Sequence, residues 1–326
     1  MAHNPRQIDF IVIGAQKSGS SFLQLAIADH PDIEMPIGET PYFQDPDYHE
    51  TNLQEVLDGF RSSGATCFGI KRPDYFAAPE VPPRIMQDCP TAKLIVMLRH
   101  PIDRCLSSWY HNIHEGFLPP IDAETGLTKL LDQGASAFPT HPRAMEVLQY
   151  GLYAKHLENY QSLLDQDRLQ ILLHHDLLRH PQLVLDQCFQ FLGVQPHKVC
   201  GTVLMRRPQS VIYSLTRLRW LKHRSRLLYH FNKTNTRTIR RTSNPIRMLL
   251  AGGLILSDRM VLKRWFGNDK PSISAILRER LIQYYRADIQ TLIATHGLSV
   301  SQWFDDTSTE SSLPKLDNTE TIVSNG

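Results

Sequence analysis

Apolar positions along this chain fall into two kinds of run. Phe10–Ile13, Cys67–Ile70, Leu94–Leu98 and Leu169–Leu173 are short and lack polar alternation, as strands buried on both faces do. Between them lie longer stretches in which apolar residues recur every three or four positions, the spacing of amphipathic helices. Leu53 to Gly64 predicts a helix closed by its glycine, and Arg143 to Leu164 predicts one long helix. Pro181 and Gly193 bracket a further helix, and Ser272 or Ser274 with Gly297 bracket a last long one. Strands alternating with helices predict an α/β fold: a parallel sheet with helices on both faces and a helical C-terminal part. From Asp305 to Gly326 Ser, Thr, Asn and Asp dominate, which predicts a disordered tail behind one domain spanning 1–304.

Two strand-to-helix junctions carry the candidate chemistry. In "FIVIGAQKSGSSFL" the strand runs into Gly14, and helical spacing resumes at Ser20, Ser21 and Phe22. A helix N-terminus there presents free N–H groups and the positive end of the helix dipole, both suited to an anion. Gly14 and Gly19 allow close backbone approach, Ser18, Ser20 and Ser21 add hydroxyls, and Lys17 adds a charge. The frame is P-loop-like, but Ser20 stands where G-x-x-x-x-G-K-[ST] has its lysine, and the lysine sits inside the loop. The strand in "KLIVMLRHP" ends in Arg99 rather than in a Mg²⁺-binding acid. A phosphate-like group held without a metal fits this junction; so do serines that only cap the helix.

The second junction is "LIVMLRHPIDRCLSSWYHN". Arg99 closes the strand, Pro101 suits the first helical turn, and Ser107 falls about two turns in, on the face of Asp103. Arg99 and Ser107 can converge on one phosphate; alternatively Arg99 pairs with Asp103 and Ser107 bonds back to its own helix. Both junctions open at the carboxyl edge of a parallel sheet, so a ligand with two separated anionic groups is implied.

At this point the chain resembles the sulfotransferases that use 3′-phosphoadenylyl sulfate, and among them the heparan sulfate sulfotransferase-like branch. "QKSGSS" is similar to their 5′-phosphosulfate loop, and "RHPIDRCLS" to their 3′-phosphate motif, an Arg followed eight positions later by a Ser. "KRPDYFAAPEVPPRI", "GETPYF", "QILLHHDLLRHPQLVLDQCFQFLGV" and "LSVSQW" follow in family order, so the resemblance covers roughly residues 8 to 304. It implies that Lys17 steadies the bridging oxygen of the leaving nucleotide. Ser18, Gly19, Ser20 and Ser21, with Gly14 and Phe22 beside them, would hold the 5′-phosphate, and Arg99 and Ser107 the 3′-phosphate. Glu39 matches the catalytic base and Lys71 the lysine near the transferred sulfo group. The family completes the 3′-phosphate site with basic residues downstream of the F-L-G helix, and Arg206 and Arg207, just beyond it, are candidates for that role. Pro41 replaces a histidine beside the base, Arg72 replaces a Ser or Thr after the lysine, and His174-His175 replace Tyr-Glu. Without the resemblance, Glu39 reads as an ordinary loop carboxylate.

Composition narrows the rest. A formal net charge of +2 gives no global reason to bind nucleic acid. Five cysteines (Cys67, Cys89, Cys105, Cys188 and Cys200) without a C-x-x-C pair predict reduced thiols. Residues 1–7 are polar and the first apolar run is too short for a signal peptide or a span, so a cytoplasmic or peripheral membrane protein is expected. Charge is uneven, however: Gln187 to Ser257 holds thirteen of the 35 Lys and Arg and no acid. Residues 206–266 are expected to form a basic helical insertion. Within them 206–247 could dock on an anionic membrane or a polyanionic acceptor, or pack its apolar side on the domain. His111 with His114 and His174-His175-Asp176 lack a second matched ligand cluster, so no metal is expected. The expected function is sulfo transfer from 3′-phosphoadenylyl sulfate to a hydroxyl or amine of a sugar, lipid-linked glycan or small metabolite. The alternatives are a P-loop-type kinase of a small substrate and a non-catalytic module that binds anionic surfaces.

Overall fold

The structure, a computed structural model, describes residues 6–61, 64–204, 211–241 and 244–304. Five strands, β1 (Phe10–Gly14), β2 (Ile33–Glu34), β3 (Cys67–Lys71), β4 (Lys93–Leu98) and β5 (Leu169–Leu173), form one sheet in the order β2-β3-β1-β4-β5. Every neighbouring pair is parallel. The alternation within each strand divides the core in two. Phe10, Val12, Ile95 and Met97 point to one face, while Ile11, Ile13, Leu94, Val96 and Leu98 point to the other. Helix α1 (Ser20–Ile27) and helix α3 (Pro181–Leu192) cover the first face with Leu23, Ala26, Ile27, Leu185 and Phe189. Helix α2 (Pro101–Glu115) covers the second with Cys105, Leu106 and Trp109, backed by helix α6 (Ala275–His296). Because α1 and α2 leave adjacent strands β1 and β4 toward opposite faces, their N-termini diverge at the carboxyl edge and leave a crevice between them.

All four expected strands are present, as are the helices closed by Gly193 and Gly297, both in left-handed conformation, with Ser274 capping α6. Three expectations need correction. The helix expected over Leu53 to Gly64 ends at Leu57, because the chain turns at Gly59 to bury Phe60. The long helix expected over Arg143 to Leu164 is three short ones, Glu146–Gln149, Tyr153–Glu158 and Gln161–Leu164. Gly151 abuts the ring of Tyr285, and the buried Tyr153 and Tyr160 donate hydrogen bonds to Arg99 O and Tyr75 O, both at 2.7 Å. These tertiary tethers outweigh helical continuity.

The stretch 206–266 is not all helix. Helix α4 (Leu215–Leu228) leads into an antiparallel hairpin, β6 (Tyr229–Phe231) with β7 (Thr238–Arg240), and then into helix α5 (Pro245–Ser257). Helical turns continue from Asp258 to Phe266. Arg206, Arg207 and the tail expected from Asp305 lie outside the described residues.

Candidate functional site

A cleft of about 1610 Å³ opens at the carboxyl edge and is lined by both junctions. At the first, Gly19 sits at φ +95° as the residue before α1, and no side chain caps that helix. A Cβ on Gly19 would stand 2.8 Å from His174 Cδ2, so glycine is needed for the conformation and for the contact. Lys17, Gly19, Ser20, Ser21 and Phe22 line the cleft. Gly14 and Ser18 are not among its lining residues: Gly14 packs under Pro73 and Phe76, and the Ser18 N–H donates back to Ala15 O at 3.1 Å. Burial, and after it the charge of Arg99, lowers the pKa of Lys17 from 10.5 to about 8.

At the second junction the helix end is already satisfied. The ring of His100 accepts a hydrogen bond from Ile102 N–H at 3.3 Å, Pro101 occupies the first turn, and Asp103 pairs with Lys270. Asp103 is therefore engaged by Lys270, and the Arg99 guanidinium reaches instead across to the first junction, donating to Lys17 O at 3.1 Å. Arg99 and Ser107 both line the cleft.

Glu39 reaches the same mouth from the loop after β2. The N–H of Thr40 donates to Lys71 O at 3.0 Å, which ties this loop to the end of β3. One carboxylate oxygen of Glu39 accepts from Arg72 Nη1 at 2.7 Å, and the other lies 3.7 Å from Lys71 Nζ. Lys71 is 2% exposed, and its Nζ donates to Ser21 Oγ at 2.9 Å. Burial lowers its pKa, against the pull of Glu39. Lys71 is thus behind the cleft wall rather than on it, and it bridges the anion-type loop to the carboxylate.

Several lining residues were not among the site residues expected from the sequence. Arg72 also lies 3.4 Å from Asp74, which is 3.7 Å from Arg143, which in turn donates to Glu146 at 2.7 Å. This wall of alternating charges joins residues up to 107 positions apart, from Glu39 to Glu146, and no local pattern announces it. His111 also lines the cleft, its pKa lowered to about 4 by burial and then by Lys17, so it is neutral near pH 7. Thr236, Arg237 and Thr238 of the hairpin close one side, with Arg237 paired to Asp47. Among the described residues no group of three or more His, Cys, Asp or Glu is placed to hold a metal ion.

Residues 7–241 match the family model described as "Sulfotransferase domain". The chain is 32% identical over 200 residues to human bifunctional heparan sulfate N-deacetylase/N-sulfotransferase 3, covering 58% of this chain and 22% of that protein. It is 30% identical over 186 residues to Mus musculus heparan sulfate glucosamine 3-O-sulfotransferase 3B1, covering 57% of this chain and 46% of that one. The chain therefore spans less than half the length of these curated relatives. The crystal structure of a sulfotransferase from Alicyclobacillus acidocaldarius shares the fold, with a TM-score of 0.61, 20% identity, and coverage of 91% of this chain and 99% of that one.

Proposed function

Because this chain belongs to the sulfotransferase domain family, we propose that it moves a sulfo group from 3′-phosphoadenylyl sulfate to a hydroxyl or amine of a glycan. One observation carries the proposal: Ser21, Lys71 and Glu39 form a connected series, at 2.9 and 3.7 Å, from the anion-type loop to a carboxylate at the same mouth.

The residues present suit the donor. The uncapped end of α1 with Lys17 offers N–H groups and a cation to the 5′ end of the nucleotide, and Arg99 with Ser107 offers a second anion site to its 3′-phosphate. Arg206 and Arg207 would complete that second site. When bound, the donor supplies an activated sulfo group whose charge spreads over its oxygens during in-line transfer, as in phosphoryl transfer. Lys17 supplies positive charge from the cleft wall, and the charge of Lys71 acts from behind it through Ser21. Glu39 takes the acceptor's proton as attack proceeds, and Arg72 and Lys71 hold its carboxylate in place. The charged wall from Arg72 to Glu146 presents paired donors and acceptors, a surface suited to sugar hydroxyls. The relatives, an N-sulfotransferase and a glucosamine 3-O-sulfotransferase of heparan sulfate, support an acceptor of that class. The working unit is one domain over 1–304, with 206–266 as an insertion.

The test is transfer of labelled sulfo group from 3′-phosphoadenylyl sulfate to N-deacetylated heparosan and a panel of other glycans, in a chelating buffer. Label on a glycan is expected. Metal-dependent phosphoryl transfer from ATP, with no sulfo transfer to any glycan, would overturn the proposal in favour of a kinase.

A further inference from the structure

Helix α5 and the turns after it are built inside out. Ile246, Leu249, Leu256 and Met260 recur at intervals of three, seven and four residues, so they share one helical face. In a soluble domain that stripe faces the core. Here the four are 67%, 77%, 57% and 66% exposed. Trp265, at 77%, lies just beyond them. The opposite face, with Ala251 and Asp258 buried, is the one that packs on the protein.

That packing is firm. Arg217 of α4 forms a two-pronged pair with Asp258, at 2.9 and 2.8 Å, and both side chains are nearly fully buried. Trp220 Nε1 donates to Leu254 O at 3.2 Å and to Ser257 Oγ at 3.1 Å. The apolar stripe is thus presented outward by a fixed support. Such a contiguous exposed apolar face marks an interaction site.

Charge selects the occupant. Arg247, Arg259, Lys263 and Arg264 lie along the same helical run, and its single acid, Asp258, is consumed by Arg217. At the start of α5, Arg240, Arg241 and Arg247 line one small depression together with Leu227, Leu228 and Met248. Apolar side chains flanked by cations, with an exposed tryptophan, match the boundary between acyl chains and anionic headgroups. A second copy of this chain would instead bring two cationic rims together. No described helix is long and apolar enough to cross a membrane, so this element would lie in the plane of the interface.

We propose that residues 245–266 form a ledge that docks on an anionic lipid bilayer, inserting Ile246, Leu249, Leu256, Met260 and Trp265 while the surrounding arginines and lysines meet the headgroups. The basic helix α4 is the support of the ledge, not the inserted element. The chain connects this ledge to the cleft directly: Thr236, Arg237 and Thr238 line the cleft, Arg240 ends the hairpin, and Pro245 begins the ledge. Docking and sulfo transfer are separable, because vesicle binding requires neither donor nor acceptor.

The test is co-sedimentation of the full chain with vesicles of phosphatidylcholine alone and of phosphatidylcholine mixed with phosphatidylglycerol. Binding is expected to the mixed vesicles and to weaken as salt rises. Leu249→Glu, Leu256→Glu and Met260→Glu together should lower the partition coefficient by tenfold or more, on the order expected for losing three inserted apolar groups. Leu183→Glu, on exposed Leu183 of α3, should leave it unchanged. Circular dichroism checks that the triple variant folds; if it does not, Arg240→Gln with Arg247→Gln tests the same surface through a reduced salt dependence. Equal recovery with both vesicle types, or unchanged binding by the folded triple variant, overturns the proposal. So does a wild-type dimer in light scattering that the triple variant dissociates while no vesicle binding is seen, which would assign the ledge to a second copy.

Discussion

The two strand-to-helix junctions look alike in sequence and solve the helix-end problem in opposite ways. After β1, helix α1 has no side-chain cap, its preceding residue is a left-handed glycine, and a lysine held at low pKa stands in the loop. After β4, helix α2 is closed by its own residues: His100 accepts from the first turn, proline occupies it, and Asp103 is neutralised by Lys270. An anion at the first junction can use backbone N–H groups, whereas one at the second must rely on the side chains of Arg99 and Ser107. A strand-to-helix turn becomes a backbone anion site only when nothing local has claimed its N–H groups.

Glu39 depends on the first junction through Lys71 and Ser21 and belongs to neither nucleotide contact. Glu39→Gln should therefore lower kcat by about two to four powers of ten, with affinity for adenosine 3′,5′-bisphosphate near wild type. Full activity of the variant would detach the carboxylate from the chemistry. The second junction is probed by Arg99→Ala, which should weaken the bisphosphate by roughly 1.5–3 kcal/mol, the scale of a charged hydrogen bond. Calorimetric titration reads this. An unchanged dissociation constant would mean that the junction does not hold the 3′-phosphate.

The pH response separates the junctions further, because only the first relies on a group that titrates near neutrality. Lys17 loses its proton near pH 8 in the free protein. A bound anion favours its charged form, so bisphosphate affinity should be flat below about pH 8 and fall by up to about tenfold per pH unit above it. The stability of the free protein should move the other way. Between about 8 and 10.5 the unfolded chain still holds this proton and the folded one has released it, so this group's contribution to stability rises with pH across that window. Titrations with Lys17→Arg, which should lose the fall in affinity, check the assignment. The smallest effect is expected at the capped helix: His100→Ala should cost about 1 kcal/mol of stability in a denaturant melt, as a lost helix cap does. Its effect on nucleotide affinity should be slight.

Much of this fold is legible in the sequence. Unbroken apolar runs marked the four principal strands because a sheet covered on both faces leaves no polar alternation to confuse them. Gly193 and Gly297 marked two helix ends because left-handed backbone is cheap only for glycine. The break-up of 143–164 was not legible. Its apolar spacing is helical, and what interrupts it is the docking of Tyr153 and Tyr160 on the carbonyls of Arg99, just past β4, and of Tyr75, in the turn after β3, both distant in sequence. The charged wall beside Glu39 was hidden for the same reason: Arg72 stood out only as a residue unlike the family's, and Asp74, Arg143 and Glu146 not at all. For the basic segment the sequence left docking and packing open: α4 packs Leu218 and Leu221 on the domain and spends Arg217 on a buried ion pair, while α5, beyond most of the charges, carries the exposed apolar face.

The lowered pKa of Lys17 also makes it an unusual nucleophile. At pH 8 about half of its amine is unprotonated, whereas an ordinary lysine near 10.5 is well under one per cent so. It lines an open cleft, so an acylating reagent used sparingly should mark it ahead of the other described lysines, and adenosine 3′,5′-bisphosphate should shield it. The residue that steadies the leaving nucleotide in the proposed reaction would then double as the attachment point for a covalent probe or inhibitor. Peptide mapping after brief labelling, with and without the bisphosphate, would read the occupancy of the cleft without any knowledge of the acceptor.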